Sequence, residues 1–292
     1  MTHRAPGPAR VAVDPLPASP DATTHPTVPS HQSARIGPAV SVLAMRTVRK
    51  YVRSPELLGT SVGSTVIFMI LFRYIFGGEI HLSRVSYVDF LIPGMVMTSV
   101  FITGAGMFAI GAAEDREYGT FDRLRSLPVP RLALPAGRVL GDTFTAVLVI
   151  AATAAMGFVV GFTVRGTLVQ ALLAFGLCAV CGFALVWIFV CIGLAAGSVQ
   201  AAQGMSMITW PLLFISSAFV QPQTLPSWMR PIAEHQPISV MCNAVRSLAL
   251  GDPRLAGLGH TTTYWAMLSL IWAAGIVAVF APIAVALYRR SS

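Results

Sequence analysis

The sequence predicts an all-α polytopic membrane protein. Of its 292 residues, 55% are hydrophobic and only 11% are charged, whereas an ordinary soluble domain carries about 25% charged residues. The apolar residues are also gathered into six long runs, each close to the roughly 20 residues that cross a bilayer as a helix. A water-soluble protein so poor in charge would lack a polar surface. We therefore expect the bilayer to surround most of the chain.

The first segment of the chain, residues 1–34, is predicted to be a disordered tail. It is rich in Pro, Ser, Thr and Ala, a composition that cannot bury enough apolar surface to fold. It contains no apolar run of the kind found in a cleavable signal peptide. The first hydrophobic span is therefore expected to act as the membrane-insertion signal.

An amphipathic interfacial helix is expected next, within residues 35–56. Four apolar residues recur at helical spacing beside Arg46, Arg49, Lys50 and Arg53: Val42, Met45, Val48 and Val52. A basic amphipathic helix of this kind lies flat at the level of the lipid headgroups. Its basic residues are not spaced around a base-reading surface, so we expect no nucleic-acid binding.

The remaining residues, 57–290, are predicted to form one transmembrane domain of six helices. The expected spans are about 57–76, 88–112, 140–163, 167–196, 203–221 and 264–287. Loops rich in basic residues stay on the cytoplasmic side of a membrane. With the amino terminus inside, fourteen basic residues fall on the cytoplasmic side and five on the other. Both termini are therefore expected to face the cytoplasm. Lys50 is the only lysine, and this arginine-rich usage favours a bacterial cell membrane (inner or plasma membrane) as the location.

The connection between the fifth and sixth spans, about 222–263, is predicted to hold short helices that enter the outer leaflet and return. Four apolar residues lie on one face of a helix in this stretch: Ile238, Met241, Val245 and Leu248. A full crossing would be costly because the same stretch carries Glu234, His235 and Arg246. A returning segment needs protein around its backbone.

No motif for chemistry is found in the chain. A subunit that hydrolyses ATP needs a glycine loop ending in Gly-Lys-Ser/Thr, and none is present. The chains of carboxylates and histidines typical of proton-coupled carriers are also missing from the predicted spans. We therefore expect no catalytic residue, no metal and no cofactor of its own, and an energy source outside this chain.

A compact charged segment, residues 114–138, separates the second and third predicted spans. It begins with Glu114, Asp115, Arg116 and Glu117 as the chain leaves the second span, and Gly119 is expected to end that helix. A short apolar ridge follows, made of Phe121, Leu124 and Leu127 and stopped by Pro128 and Pro130. An amphipathic helix at the membrane surface can fill a groove on a partner protein. A solvated charged loop is the alternative interpretation.

Two groups of residues resemble known families. The loop signature of type-2 (ABC-2 type) ABC transporter permeases resembles Arg116-x-x-Gly119-Thr120, Leu124, Leu127-Pro128 and Arg138. The drug-resistance permeases of the daunorubicin exporter group resemble this chain at Leu225-Pro226-x-Trp228, His235-Gln236-Pro237-Ile238-Ser239 and Ala244-Val245-Arg246. The resemblance covers about 40–290 and is specific only in these two places.

The resemblance implies an amphipathic elbow helix, six spans, a cytosolic coupling helix and extracellular re-entrant helices before the last span. It also implies a separate ABC ATP-binding subunit and a homodimer or heterodimer of permeases. The residues expected to couple to the ATPase are Glu114, Arg116, Glu117, Gly119, Thr120, Leu124 and Pro128. Those of the re-entrant region are His235, Gln236, Pro237 and Arg246.

Three residues within the spans are candidates for a substrate pathway: Arg73, Met97 and Phe101. Each has a structural alternative, because Arg73 can extend to the nearer membrane surface and the other two can be packing residues. The function expected from all these features is the permease subunit of an ATP-driven exporter of a lipophilic drug or secondary metabolite. The alternatives are export of a glycolipid or lipid-linked glycan and, beyond transport, a membrane-embedded enzyme or a scaffold.

Overall fold

The structure, a computed structural model, describes residues 36–76, 85–119, 133–219 and 221–290. All regular elements in these ranges are helical. The α-helical elements are α1 (Ile36–Val52), α2 (Pro55–Phe76), α3 (Tyr87–Glu117), α4 (Ala133–Val159), α5 (Leu168–Ala195), α6 (Val199–Met207), α7 (Trp210–Phe214), α8 (Arg230–His235), α9 (Pro237–Leu250) and α10 (Thr262–Arg290). The same ranges also contain two short 3-10 turns, Pro222–Thr224 and Pro253–Ala256.

Within the described residues, five helices are long and apolar enough to cross a membrane: α2, α3, α4, α5 and α10. They correspond to the first four predicted spans and the sixth. Helix α3 is the centre of the bundle, since 89% of its most apolar window is buried within the chain. The same measure is 11% for α2 and 17% for α10. These two helices therefore expose most of their apolar surface, as expected of helices that face lipid.

Helix α3 is longer than the predicted span at 88–112. Ser86 caps its first turn by accepting a hydrogen bond from the backbone N–H of Asp89 (3.1 Å). The helix continues through a π-turn at Gly104–Phe108 and ends at Glu117. Gly119 then adopts φ 62°, the left-handed conformation that ends many helices. The charged residues from Glu114 to Glu117 therefore belong to the last turns of a helix.

The predicted fifth span, 203–221, is not a continuous helix. The chain forms α6, breaks at residues 208–209, and resumes as α7 with Pro211 in its first turn. A proline has no N–H to donate and its ring clashes with the preceding turn. The backbone instead makes tight bonds, such as Ile208 N–H to Met205 C=O (3.3 Å). Hydropathy predicted the apolar character of this stretch but not the interruption that proline causes.

We call residues 199–219 the interrupted segment. It nevertheless runs along the whole length of α3. It starts where the Val199 N–H donates to Glu117 (3.1 Å) and finishes where the Tyr87 hydroxyl donates to the carbonyl of Phe219 (3.1 Å). We call the end of the bundle at Glu114–Glu117 the charged end, and the end at Tyr87 the opposite end. The prediction of six crossings stays a prediction, supported by this course.

Helix α1 packs closely on the start of α4 at the charged end. A Cβ on Gly137 would lie 2.5 Å from the Cβ of Leu43, and one on Gly141 would lie 2.5 Å from the Cβ of Thr47. The two glycines therefore permit a contact that larger residues would prevent. The predicted apolar stripe points away from the bundle, with Val42 exposed by 69%. That orientation suits an interfacial helix, and its position at a membrane surface stays a prediction.

Helix α9 lies inside the bundle, in contact with α3, α5 and α10. Every residue from Ile238 to Leu250 is buried, including the polar ones, so the helix has no solvated face. Both of its ends meet turns at the opposite end: Ser239 bonds Ser217, and the carbonyl of Ala249 accepts from the N–H of Gly166 (3.1 Å). A helix that starts and finishes at the same end is consistent with the predicted re-entrant course.

Candidate functional site

The last turn of α3 joins two other helices at the charged end. Arg116 Nη1 donates to the carbonyls of Leu194 (2.8 Å) and Ala196 (2.9 Å), where α5 ends. Glu117 accepts from the N–H of Val199 (3.1 Å), where α6 begins. A cation at a helix C-terminus and an anion at a helix N-terminus are both favourable for the helix dipoles. Arg116 and Glu117 therefore fix the α5–α6 turn to the end of α3.

Two ion pairs connect α3 to α1 on the other side. Lys50 Nζ lies 2.6 Å from Glu114 Oε2, and Arg46 Nη2 lies 3.3 Å from Asp115 Oδ1. The Lys50, Glu114 and Arg46 side chains are all at least one-third exposed. Such pairs contribute about 0–1 kcal/mol each. Their main consequence is geometric, because they align α1 with the end of α3.

Beneath these pairs, Arg138 of α4 is buried and is paired with two carboxylates. Its guanidinium bonds Asp142 (2.8 Å) and Asp115 (2.5 Å), the carbonyl of Gly111 (3.0 Å) and the Tyr51 hydroxyl (2.9 Å). Burial raises the pKa of the Tyr51 hydroxyl, so it stays neutral and can accept this bond. One arginine thus connects α1, α3 and α4 at the charged end.

The predicted coupling residues divide into two sets. Glu114, Arg116, Glu117 and Gly119 lie together at the charged end, whereas Thr120, Leu124 and Pro128 lie outside the described residues. Each of the three charged side chains has a partner within the chain. By contrast, Tyr118 is 71% exposed beside Gly119. The charged residues therefore brace the helix end from which the 120–132 segment departs.

At the opposite end, Arg246 of α9 is completely buried. Its guanidinium bonds the carbonyls of Phe90 (2.8 Å) and Ser217 (2.9 Å) and the side-chain oxygen of Asn243 (2.8 Å). It also lies 3.7 Å from the centre of the Phe90 ring, a cation–π contact. Arg246 therefore joins the start of α3, the end of the interrupted segment and α9.

The structure brings the four predicted re-entrant residues to one place. His235 ends α8, Gln236 precedes α9, and Pro237 occupies the first turn of α9. His235 and Arg246 line the same cavity of about 160 Å³. Gln236 is buried and donates to the hydroxyl of Ser239 (3.2 Å). Proline at this position suits a helix start, where its missing N–H would have no partner within the helix.

A second cavity, of about 340 Å³, opens between α2, the π-turn of α3 and the interrupted segment. Hydroxyl and amide groups line it beside apolar ones: Thr60, Ser61, Ser64, Gln203, Ser206, Ile102 and Trp210 are among its residues. The Ser206 hydroxyl is buried and makes no hydrogen bond within the described residues. We call this cavity the polar seam.

The profile of ABC-2 type transporters matches residues 38–250, from α1 to the end of α9. The chain belongs to the ABC-2 type transporter family. It is similar to a protein of Streptomyces coeruleorubidus named as a daunorubicin resistance ABC transporter permease, with 34% identity over 253 residues, 85% of this chain and 84% of that one. Proteins of two Mycobacterium tuberculosis strains, CDC 1551 and H37Rv, are named as probable doxorubicin resistance ABC transporter permeases. Each is 25% identical over 265 residues, 90% of this chain and 93% of theirs.

The three candidate pathway residues of this ABC-2 permease do not form one site. Arg73 is partly buried near the opposite end, where its Nη1 would lie 3.4 Å from a Cβ on Gly161. Met97 and Phe101 are 1% and 4% exposed. The Phe101 ring meets Phe189 edge-on, with centroids 5.1 Å apart. In this conformation Met97 and Phe101 pack between helices.

Sequence reasoning missed the partners of both buried arginines of the ABC-2 permease. Asp142 stands four residues after Arg138, a spacing that brings side chains together on one helix face. That pair could therefore have been predicted from the sequence. Asp89 also lies in a spanning helix and pairs with Arg165 (2.9 Å). Two predicted spans therefore do contain a carboxylate. Each lies near a helix end and pairs with an arginine, so the two do not form a chain of carboxylates across the membrane. Asn243 stands three residues before Arg246, but the carbonyl partners of Arg246, Phe90 and Ser217, are distant in sequence and left no local signal.

Proposed function

We propose that this chain is the permease subunit of an ABC exporter that moves a lipophilic drug or secondary metabolite out of a bacterial cell. The energy comes from a separate ATP-binding subunit, because the chain has no phosphate-binding glycine loop. The similarity to permeases named for daunorubicin and doxorubicin resistance supports the substrate class. The transporter contains two permease chains, identical or different, and two ATP-binding subunits.

The observation that carries the proposal is the bracing of α3 at the charged end. Residues 120–132 follow directly on Gly119, and the helix before them is tied to α5 and α6 by Arg116 and Glu117. The ion pairs of Glu114 and Asp115 tie it to α1. A push on the 120–132 segment would therefore displace α1, α3, α5 and α6 together. Such rigid-body displacement is how packed helices transmit a local change.

We place the charged end in the cytoplasm and the opposite end outside. The excess of basic residues supports this orientation. Pro135, at the start of α4, lines one groove with Arg289 in the last turn of α10. Helix α1 packs on that start of α4, so α1 and the last turn of α10 lie at the same end. Both ends of the described chain are then cytoplasmic. Lipid surrounds α2 and α10, the helices with the least buried apolar surface.

The polar seam is our candidate for a substrate route through the protomer. It presents apolar side chains beside hydroxyls that can exchange hydrogen bonds, a lining that suits an amphiphilic compound. It also lies on α2, whose apolar surface is largely exposed. Arg73, Met97 and Phe101 remain candidates for the route in other conformations of the pump.

Transport in inside-out membrane vesicles tests the proposal. Vesicles that contain the permease and its co-purified ATP-binding subunit are expected to accumulate a lipophilic cationic drug when ATP is added. The permease alone is expected to give no accumulation and no ATP hydrolysis. Accumulation of isoprenoid-linked sugars alone would overturn the drug substrate and favour glycan export. Robust ATP hydrolysis by the purified chain would contradict the division of labour between two subunits.

Gly119 offers a variant that tests coupling. Because its φ is 62°, Gly119→Val forces a β-branched residue into a strained conformation and is expected to reduce transport at least tenfold while the protein stays inserted. Gly197→Val is the control at the same end, since a Cβ there meets nothing within 4 Å. Equal transport by the two variants would remove the turn at Gly119 from the coupling route.

A further inference from the structure

The cavity beside Arg246 has room for more than bound water. Its volume is about 160 Å³, close to an engineered cavity of about 150 Å³ that takes up benzene. Six parts of the chain wall it: the start of α3, the end of the interrupted segment, the 3-10 turn at Pro222–Thr224, α8–α9, the loop before α10, and the start of α10. The ring of His260 stacks on Tyr264 with centroids 4.2 Å apart, which gives the cavity a flat aromatic wall.

The charge of Arg246 is not balanced by an anion. Within the described residues, its hydrogen bonds end on three backbone carbonyls, of Phe90, Ser217 and Ala218, and on one amide oxygen, which are all neutral. No carboxylate oxygen lies within 4.0 Å of it among the described residues. A buried cation without a counter-ion is costly. Neutral dipoles reduce this cost, but the positive potential remains and extends into the cavity.

Two further residues that carry hydrogen-bond donors, Trp265 and Asn243, line the same cavity. Trp265 is 7% exposed, and its Nε1–H has no acceptor within the described residues. The oxygen of Asn243 accepts bonds from both Ser217 and Arg246. These two bonds identify which side-chain atom of Asn243 is the oxygen. The other atom is therefore the nitrogen, which carries two N–H donors and makes no hydrogen bond within the described residues. An arginine, a tryptophan and an asparagine, each with a donor group, thus line one cavity.

We propose that this cavity binds the oxyanion group, a carboxylate or phosphate, of a small organic anion whose apolar part lies on the aromatic wall. An oxyanion would accept from Trp265 and Asn243 and would balance Arg246. Glu234 also lines the cavity, and its carboxylate opposes anion binding. Water would satisfy the donors but would leave the charge unbalanced. This site does not depend on the proposed export function.

Calorimetric titration of the full-length protein in nanodiscs tests the site. Benzoate and phenyl phosphate are the probes, benzylamine is the cationic counterpart, and the lipid is zwitterionic phosphatidylcholine. Saturable binding of the anions, and none of benzylamine, is expected. Repeating the titration in anionic phosphatidylglycerol identifies the source of the natural ligand. Loss of benzoate binding there indicates that a lipid headgroup competes for the site, and unchanged binding indicates a free anion.

Two variants give changes of opposite sign. Glu234→Gln removes the opposing charge and is expected to tighten benzoate binding about three- to fivefold. Trp265→Phe removes the indole donor and is expected to weaken binding about tenfold or more, because hydrogen bonds to charged groups are strong. Glu56→Gln on α2 is the matched control and should change nothing. Absence of saturable anion binding to the wild type, or weaker binding to Glu234→Gln, would overturn the proposal.

Discussion

Helix α3 passes beside a buried arginine at each end, and the two arginines are held differently. At the charged end, Arg138 pairs with Asp115 and Asp142 over Gly111. At the opposite end, the acceptors that Arg246 bonds among the described residues are all neutral, and they lie over Gly94. In both places a glycine of α3 makes room for the guanidinium, since an added Cβ would collide with Arg138 at Gly111 and would lie 2.9 Å from Arg246 Nη2 at Gly94.

The difference separates two uses of a buried charge. The charged end is neutralised within the chain, so it serves as a rigid joint between α1, α3 and α4. At the opposite end, Arg246 has no carboxylate partner within the described residues and lies beside a cavity, which suits a ligand rather than a joint. The carboxylate Asp89 lies next to Phe90 in the sequence, yet it pairs with the partly exposed Arg165 and leaves Arg246 unbalanced.

The largest effect should come from removing Arg138. Arg138→Met leaves Asp142 buried without its partner and leaves Asp115 paired with Arg46 alone. It is expected to cost about 3–5 kcal/mol of stability. Adding Asp142→Leu should restore part of the loss, because an apolar pair can replace a buried ion pair. Thermal unfolding followed by fluorescence-detected gel filtration measures both changes.

Arg246 provides the contrasting case. Arg246→Met is expected to destabilise the protein through unsatisfied carbonyls, by about 1–3 kcal/mol for each buried acceptor left without a donor. Removing a carboxylate should not restore stability here, and Asp89→Asn is the variant that tests this. Recovery with Asp89→Asn would show that Arg246 is balanced by that carboxylate after all.

The two glycines of α3 should give a smaller effect. Gly111→Ala and Gly94→Ala are each expected to cost about 1–3 kcal/mol, because the new methyl group displaces a guanidinium or a facing carbonyl. Gly106→Ala, on the same helix, meets nothing within 4 Å. It should be neutral or slightly stabilising, since alanine favours helices. The same unfolding assay ranks all three, and equal stabilities would mean that the arginines do not approach α3 so closely.

The smallest effect should appear at the exposed pair of Lys50 and Glu114. Lys50→Glu places like charges together and is expected to cost about 0.2–1 kcal/mol at low salt. The double exchange, Lys50→Glu with Glu114→Lys, should restore stability. Raising the salt concentration should reduce the difference, because screening weakens exposed pairs. A loss that persists at 1 M salt would point to packing of the lysine stem instead.

Local patterns in the sequence predicted most of the helices. The apolar runs located α2, α3, α4, α5 and α10, and the amphipathic pattern located α1. Gly119 was correctly expected to end its helix, because its effect depends only on its own backbone. The interruption at Pro211 was missed because hydropathy averages over a window and ignores a single lost hydrogen bond.

The candidate sites were less predictable, because they depend on contacts between distant residues. The motif residues Arg116 and Glu117 were expected to serve a partner protein, and the structure shows that they bind the α5–α6 turn. The apolar stripe predicted for α9 is buried on a helix, but the pattern gave no sign that Asn243 and Arg246 are buried too. Their partners Ser217 and Phe90 lie in a turn after α7 and in α3, and only the fold brings these close to α9. Periodicity identifies apolar faces, but it cannot identify a polar cluster inside the bundle.

Site-directed photocrosslinking tests most directly whether the charged end receives the ATP-binding subunit. Tyr118 and Trp228 are each 71% exposed, and they lie near the charged end and in the 222–263 connection of the opposite end. A photoreactive phenylalanine at position 118 is expected to crosslink, in native membranes, to a protein that carries a phosphate-binding glycine loop. The same residue at position 228 is expected to give no such product. Crosslinking of that ATP-binding protein from position 228 and not from position 118 would contradict the account.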